Sequence, residues 1–201
     1  MKPRFEKECE GIYRLRIPFE TVYTSVFLIR TDNGAFLVDS ATTDADVEGI
    51  ILPALDEMGY ALSDVRGLVL THRHNDHAGG SRRLLSLHPD LEVIADERTL
   101  ADGVRTYPLP GHTEDSIGVL DGRTGTLLSG DGLQGEGVDR FRCSLKNREA
   151  YVETVKKLKS DESVKNILFS HAYEPWYDDR AFGREEVLRR LEDCLRVIGE
   201  A

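Results

Sequence analysis

The sequence predicts a mixed α/β (α+β) fold, and three observations carry that prediction. Apolar or alternating runs of strand length recur along the chain, from Gly11–Ile17 to Val164–Phe169. Between them, Val47, Ile50, Ile51, Leu55 and Met58 repeat at helical spacing. Histidines and aspartates then follow directly on several of the strand-like runs, so the strand ends carry the chain's chemistry. With 201 residues the chain fits one domain with a sizeable core, expected to span 1–201.

Taken in order, strands are expected at Gly11–Ile17, Ser25–Thr31 and Ala35–Val38, with Asp32-Asn33-Gly34 as the turn between the last two. A helix over about Thr43–Met58 is closed by Gly59. Strands at Val65–Leu70 and Leu91–Ala95 flank a short helix near Gly80–Leu87, and Asp96–Thr106 is expected only as a connection. Ser116–Leu120 and Thr126–Ser129 flank Asp121-Gly122-Arg123-Thr124-Gly125, which reads as a hairpin. Helices near Arg148–Leu158 and Arg184–Ile198 bracket the strand Val164–Phe169.

Charge narrows the partners. The chain has 26 basic against 36 acidic side chains and a net charge of -10, which opposes wide contact with a nucleic-acid backbone and favours a small-molecule substrate. No apolar run reaches the roughly 18 residues of a membrane span, and Met1–Glu10 has no apolar stretch, so no membrane partner and a cytoplasmic location are expected. Cys9, Cys143 and Cys194 are odd in number and far apart, as free thiols are.

The segment Thr71-His72-Arg73-His74-Asn75-Asp76-His77 places four potential metal ligands after the run Val65–Leu70. Period-two alternation lets His72 and His74 face one side, while a following turn redirects Asp76 and His77 to a second point. His112, in Leu109-Pro110-Gly111-His112-Thr113, and His171, in Phe169-Ser170-His171-Ala172-Tyr173, stand at two further strand-to-loop junctions. Asp131, in Leu127-Leu128-Ser129-Gly130-Asp131-Gly132, is a carboxylate able to bridge two cations. Nitrogen and oxygen donors of this kind suit zinc, and also iron or manganese. Structural zinc sites are usually closed, Cys-rich clusters of four, whereas this larger Cys-free set leaves positions open for water and substrate.

This ordered set resembles the metallo-β-lactamase superfamily, along most of the chain from about Gly11 to His171 and including the early strand end Phe36-Leu37-Val38-Asp39-Ser40. The resemblance implies a four-layer αββα sandwich. It also implies two divalent metals, zinc foremost, one on His72, His74 and His112, the other on Asp76, His77 and His171, with Asp131 between them. Zinc carbapenemases carry Cys or His where this chain has Asp131. A bridging Asp is similar to the branch of glyoxalase II, the acyl-homoserine lactonases and ribonuclease Z. The diiron flavoproteins carry Glu at the position of His74.

The implied activity is hydrolysis of a small ester, thioester or lactone. Water between two cations is acidified toward neutral pH, and Asp76 helps to manage it and the leaving group. Tyr173, two residues after His171, is similar to the His-x-Tyr of glyoxalase II, where the tyrosine shapes the substrate site. The stretch after Asp131 lacks that family's Cys-Gly-Lys pattern, and no counterpart of its glutathione-gripping helical domain is expected. Two alternatives stand beside this reading. One is a persulfide dioxygenase with a single iron on His72, His112 and Asp131; the other is a non-catalytic metal-binding member. Further candidates are the basic stretch Arg140, Arg142, Lys146 and Arg148 for a substrate anion, and Trp176 and Tyr177 for a pocket wall. Asp39, Thr71 and Ser170 adjoin the ligands and can orient imidazoles from behind. Cys143 reads as an inert thiol, and His88 as a surface residue at a helix end.

Overall fold

The computed structural model describes residues 3–19, 22–133, 144–172 and 179–199. It forms two compact units, Met1–Ala95 and Asp96–Ala201, each built on one six-stranded mixed sheet.

In the first unit the sheet runs in chain order, β1(Glu6–Cys9), β2(Ile12–Phe19), β3(Val22–Thr31), β4(Gly34–Val38), β5(Val65–Val69) and β6(Glu92–Ile94). Strands β1 to β4 form an antiparallel meander, and β4, β5 and β6 are parallel. The predicted turn Asp32-Asn33-Gly34 joins β3 to β4, with Gly34 already the first residue of β4 and paired with Thr31. A parallel neighbour needs a crossover. Between β4 and β5 that crossover is the predicted helix, resolved as α1(Asp44–Asp46), a π-helical turn Val47–Ile51 and α2(Leu52–Glu57). Thr43 caps it, its hydroxyl accepting from the Asp46 N–H at 3.1 Å while the Asp46 carboxylate accepts from the Thr43 N–H at 2.9 Å. The widened turn precedes Pro53, which has no N–H for the regular ladder. The helix buries Val47, Ile51 and Leu55 against Leu15, Ile17, Val26, Leu28, Leu37 and Leu68 of the sheet. Each such side chain is worth about 1.5–3 kcal/mol. Two short helices, α3(Asn75–Ala78) and α4(Ser81–Leu87), lead from β5 to β6, and α4 adds Leu84 to the same core.

In the second unit the sheet order is β12-β11-β10-β9-β8-β7, made of β7(Thr99–Ala101), β8(Val104–Pro108), β9(Ile117–Asp121), β10(Thr126–Leu128), β11(Asn166–Leu168) and β12(Arg180–Phe182). Strands β7 to β10 are an antiparallel meander and β10 pairs β11 in parallel. The crossover is α5(Arg148–Ser160), and α6(Arg184–Val197) follows β12. Tyr151, Val155 and Leu158 of α5 and Val187, Leu191 and Leu195 of α6 pack with Leu120, Leu127 and Ile167. The Arg184 guanidinium donates to the carbonyls of Leu158 at 3.2 Å and Lys159 at 2.6 Å, which closes the C-terminus of α5.

The predicted hairpin around Asp121–Gly125 is β9 and β10, and both late helices form close to their predicted bounds. The predicted connection 96–106 instead contains β7 and the start of β8, turning at Asp102-Gly103, where Gly103 has φ 73. Gly103 supplies the positive φ of that two-residue turn at no steric cost. Strands β1 and β12 were also not expected. They are short, edge-lying and rich in charge, so they carry little apolar signal. Among the described residues no helix is long and apolar enough to cross a membrane.

Candidate metal centre

Apart from His112, which follows the antiparallel strand β8, the ligand-type side chains come after the carboxyl ends of parallel strands, where open α/β sheets form their sites. In the first unit β5 ends at Val69, and the chain delivers His72, His74, Asp76 and His77 through a loop and the single turn α3. His74 is the N-cap of that turn, with φ -66 and ψ 151. The ring centroids of His72 and His74 lie 4.6 Å apart and those of His72 and His77 lie 4.2 Å apart. The turn brings the His77 ring round beside that of His72. His77 Nε2 lies 3.5 Å from Asp76 Oδ2, so both point their donor atoms at one region. Arg73 is exposed.

Behind these ligands sits Asp39, one residue past β4 and fully buried. Its Oδ2 is 2.7 Å from His77 Nδ1, and its Oδ1 accepts from the Thr71 N–H at 2.8 Å. The Thr71 hydroxyl donates to Oδ2 at 2.9 Å. Orientation of a ligating imidazole through its other nitrogen is a general requirement of metal sites. Asp39 has φ 65, a left-handed conformation that Asp tolerates better than most residues. The Ser40 N–H and hydroxyl both bond to the His77 carbonyl, at 2.7 and 2.9 Å, which locks the strand end to α3. That close approach needs Gly79: a Cβ there would stand 2.0 Å from the Thr42 carbonyl oxygen. Neither the role of Ser40 nor that of Gly79 was anticipated, although the Gly79-Gly80 pair directly after the histidine motif was a visible signal of close backbone approach.

In the second unit Asp131 follows β10, His171 follows β11, and His112 lies in the loop after β8. All three are buried. Asp131 divides its carboxylate between the two rings, with Oδ1 3.1 Å from His171 Nε2 and Oδ2 3.6 Å from His112 Nε2. The His112 loop is stitched to the start of α5. Asn147 N–H donates to the Gly111 carbonyl at 3.0 Å, Lys146 N–H to that of His112 at 3.3 Å, and the Thr154 hydroxyl to that of Pro110 at 2.8 Å. Gly111 adopts φ 147, and a Cβ there would meet the Tyr151 Cβ at 2.6 Å. Ser170 is buried beside His171 in sequence.

Each unit contributes His and Asp side chains to groups able to bind metal. The donors are nitrogen and oxygen throughout, and the ring held from its Nδ1 side, His77, keeps Nε2 for an ion. Burial of most of the ligands with aligned donor atoms fits a metal far better than it fits solvent-exposed histidines.

Of the remaining candidates, Tyr173, Trp176, Tyr177, Arg140, Arg142 and Cys143 lie outside the described residues. Arg148 is engaged elsewhere, its guanidinium donating to the Ile198 carbonyl, and Lys146 is exposed. His88 is the C-cap of α4, as a helix-end residue should be. Among the described residues Cys9 and Cys194 form no disulfide.

A family model described as the metallo-β-lactamase superfamily matches residues 20–102. Among curated proteins, the chain is 33% identical over 131 residues to a hydroxyacylglutathione hydrolase of Xanthomonas euvesicatoria pv. vesicatoria, covering 57% of this chain and 48% of that one. It is 28% identical over 149 residues to an atrochrysone carboxyl ACP thioesterase of Passalora fulva, covering 62% and 44%. The chain thus spans about half the length of these curated relatives. The solved structure of a metallo-β-lactamase from Erythrobacter litoralis superposes with a TM-score of 0.71 at 21% identity, covering 96% of this chain and 95% of that one. That likeness shows the fold, the α/β sandwich with two mixed sheets and helices. The fold of that structure is matched along nearly the whole chain, and the histidine motif lies inside the residues matched by the metallo-β-lactamase superfamily model.

Proposed function

We propose that the chain is a metal-dependent hydrolase of a small ester, thioester or lactone, and that its His and Asp side chains hold two ions as one dinuclear centre within a single working domain. His72, His74 and His112 would hold one ion, Asp76, His77 and His171 the other, and Asp131 would bridge them. The observation that carries this reading is the split carboxylate of Asp131, one oxygen toward His171 Nε2 at 3.1 Å and the other toward His112 Nε2 at 3.6 Å.

Two divalent ions, zinc foremost, supply Lewis acidity and acidify water toward neutral pH when bound. The chain's own residues do the rest. Asp76 is the more open of the neighbouring pair, with 17% side-chain exposure against 0% for His77, so its carboxylate can hold the attacking water and take its proton. Asp39 keeps His77 from turning as charge develops. Tyr173 is assigned to substrate handling from its place two residues after His171. A net charge of -10 supports a small-molecule substrate over nucleic acid, and a cytoplasmic setting is part of the same proposal. Both curated relatives are named for acyl-thiol chemistry, a hydroxyacylglutathione hydrolase and a carrier-protein thioesterase, which favours a thioester within this class.

The test is metal analysis of protein purified without added metal, with a hydrolysis screen of thioesters, lactones and phosphodiesters on the same sample. Two metals per chain with turnover of a carbonyl substrate is the expected result. One iron per chain with oxygen consumption and no hydrolysis would overturn it in favour of a single-iron dioxygenase.

A further inference from the structure

We propose that Thr71 is a positioning residue that fixes the tautomer of His72, so that one buried carboxylate, Asp39, presents the Nε2 lone pairs of two imidazoles, His77 directly and His72 through the Thr71 hydroxyl. The proposal deepens the metal-centre reading above and rests on it for its purpose, but its geometry lies wholly within the first unit.

The argument is a count of protons. A carboxylate only accepts hydrogen bonds, and a hydroxyl has a single proton to give. Thr71 spends that proton on Asp39 Oδ2, at 2.9 Å. Its oxygen also stands 3.2 Å from His72 Nδ1, where it can therefore act only as the acceptor. His72 must then carry its proton on Nδ1 and its lone pair on Nε2. The same rule applies to His77, whose Nδ1 lies 2.7 Å from the same carboxylate oxygen and must donate to it. Thr71 also stands 3.5 Å from His77 Nδ1, too long to compete with the 2.7 Å bond.

Two features make this a built arrangement. First, Thr71 grips Asp39 twice, by its hydroxyl and by its N–H at 2.8 Å to Oδ1, which fixes the rotamer that aims the oxygen at His72. Second, Thr71 and His72 are 1% and 2% exposed, and Asp39 and His77 are 0% exposed, so water cannot take over the role of the missing partner. An unguided neutral imidazole divides its proton between two nitrogens, and the tautomer with Nε2–H cannot bind metal through that atom.

The tautomers can be read from imidazole nitrogen NMR of the metal-free protein at about pH 8, above the usual histidine range. Wild type should show His72 and His77 both as Nδ1–H tautomers. In Thr71→Val, which keeps the shape and removes the hydroxyl, His72 should lose its single Nδ1–H signature while His77 keeps it. Zinc affinity, measured by chelator competition, should fall about 10–100-fold. Thr71→Ser should restore both, which a purely steric role for the threonine would not require. A wild-type His72 carrying its proton on Nε2, or an unchanged His72 signature in Thr71→Val, would overturn the proposal, and the wild-type spectrum decides even if the valine variant fails to fold. If the tautomers behave as stated while no form binds zinc, the inference stands and the metal-centre reading fails.

Discussion

The two units share a four-strand meander followed by a parallel step, and each carries an aspartate shortly after its meander, yet the two aspartates have opposite surroundings. In each, an antiparallel meander of four strands gives way to a parallel step, β4 to β5 in one and β10 to β11 in the other. Asp39 follows the first meander and Asp131 the second. Asp39 faces the Nδ1 side of its histidine at 2.7 Å and is held by Thr71, whereas Asp131 faces the Nε2 side of His171 at 3.1 Å and of His112 at 3.6 Å. The difference teaches that residue type and topological position do not assign a role. The nitrogen that a carboxylate addresses does: a group on the Nδ1 side holds the ring, and a group on the Nε2 side shares whatever the ring binds.

The largest expected effect follows from removing the shared group. Asp131→Ala should lose the bridged metal pair and lower turnover by more than about 100-fold, as loss of a ligand exceeds the cost of losing a supporting partner. Two metals per chain and full turnover in that variant, by elemental analysis and steady-state kinetics, would refute the bridging assignment.

The comparison is tested most directly in metal-free protein. Asp39→Asn puts an amide where Thr71 and His77 donate, leaving buried donors without acceptors, and should cost about 2–3 kcal/mol in denaturant unfolding. Asp131→Asn should cost less than about 1 kcal/mol, because a group poised for an ion contributes little to folding without one. Equal losses would show that both aspartates are structural and would dissolve the distinction drawn here.

The contrast also explains what the sequence could disclose. The seven proposed ligands lie in loops that follow strands or in the single turn α3 after β5. Such ligands are legible because metal chemistry restricts them to few residue types. The meander strands β2, β3 and β4 and the helices α5 and α6 were legible because each buries a periodic apolar face. What escaped were elements stabilised by neighbours, such as β7 and β12, and contacts of backbone on backbone. Gly79 and Gly111 look alike as letters, but one lets a carbonyl approach α3 and the other lets a loop press on Tyr151. No local pattern distinguishes those tasks.

Gly111 gives the next smaller effect. An alanine there has to accept φ 147 and a Cβ contact of 2.6 Å with Tyr151, so Gly111→Ala should cost about 1–2 kcal/mol and push His112 away from Asp131. Affinity for metal should fall with it, whereas the Asp39 network of the first unit should keep its imidazole signals. Loss of the His77 signature in this variant would show that the two half-sites are not built independently.

The smallest effect concerns the support beneath that same loop. The hydroxyl of Tyr107, on β8, donates to Asp161 Oδ2 at 2.9 Å just beyond the C-terminus of α5, so it ties the strand that leads to His112 to the helix that holds it. Burial, with the Asp161 carboxylate beside it, pushes the Tyr107 phenol well above its ordinary range. The Asp161 carboxyl is lowered on balance: burial pushes it up, but hydrogen bonds from Ser163 and Tyr107 outweigh this. The signs then follow. A raised phenol stabilises the fold at pH below the unfolded tyrosine value of about 10 and loses that contribution as pH climbs toward its raised folded value. A lowered carboxyl stabilises above the unfolded aspartate value of about 3.9 and loses its contribution as pH falls through the folded value. Tyr107→Phe should therefore cost about 1 kcal/mol at neutral pH, raise the Asp161 titration midpoint, and flatten the alkaline fall in stability. Because the change acts on the support and not on a donor atom, metal content should stay at the wild-type level. A drop in metal content here comparable to that of Gly111→Ala would mean that the His112 loop depends on β8 more than on α5, and the roles assigned to the two elements would have to be exchanged.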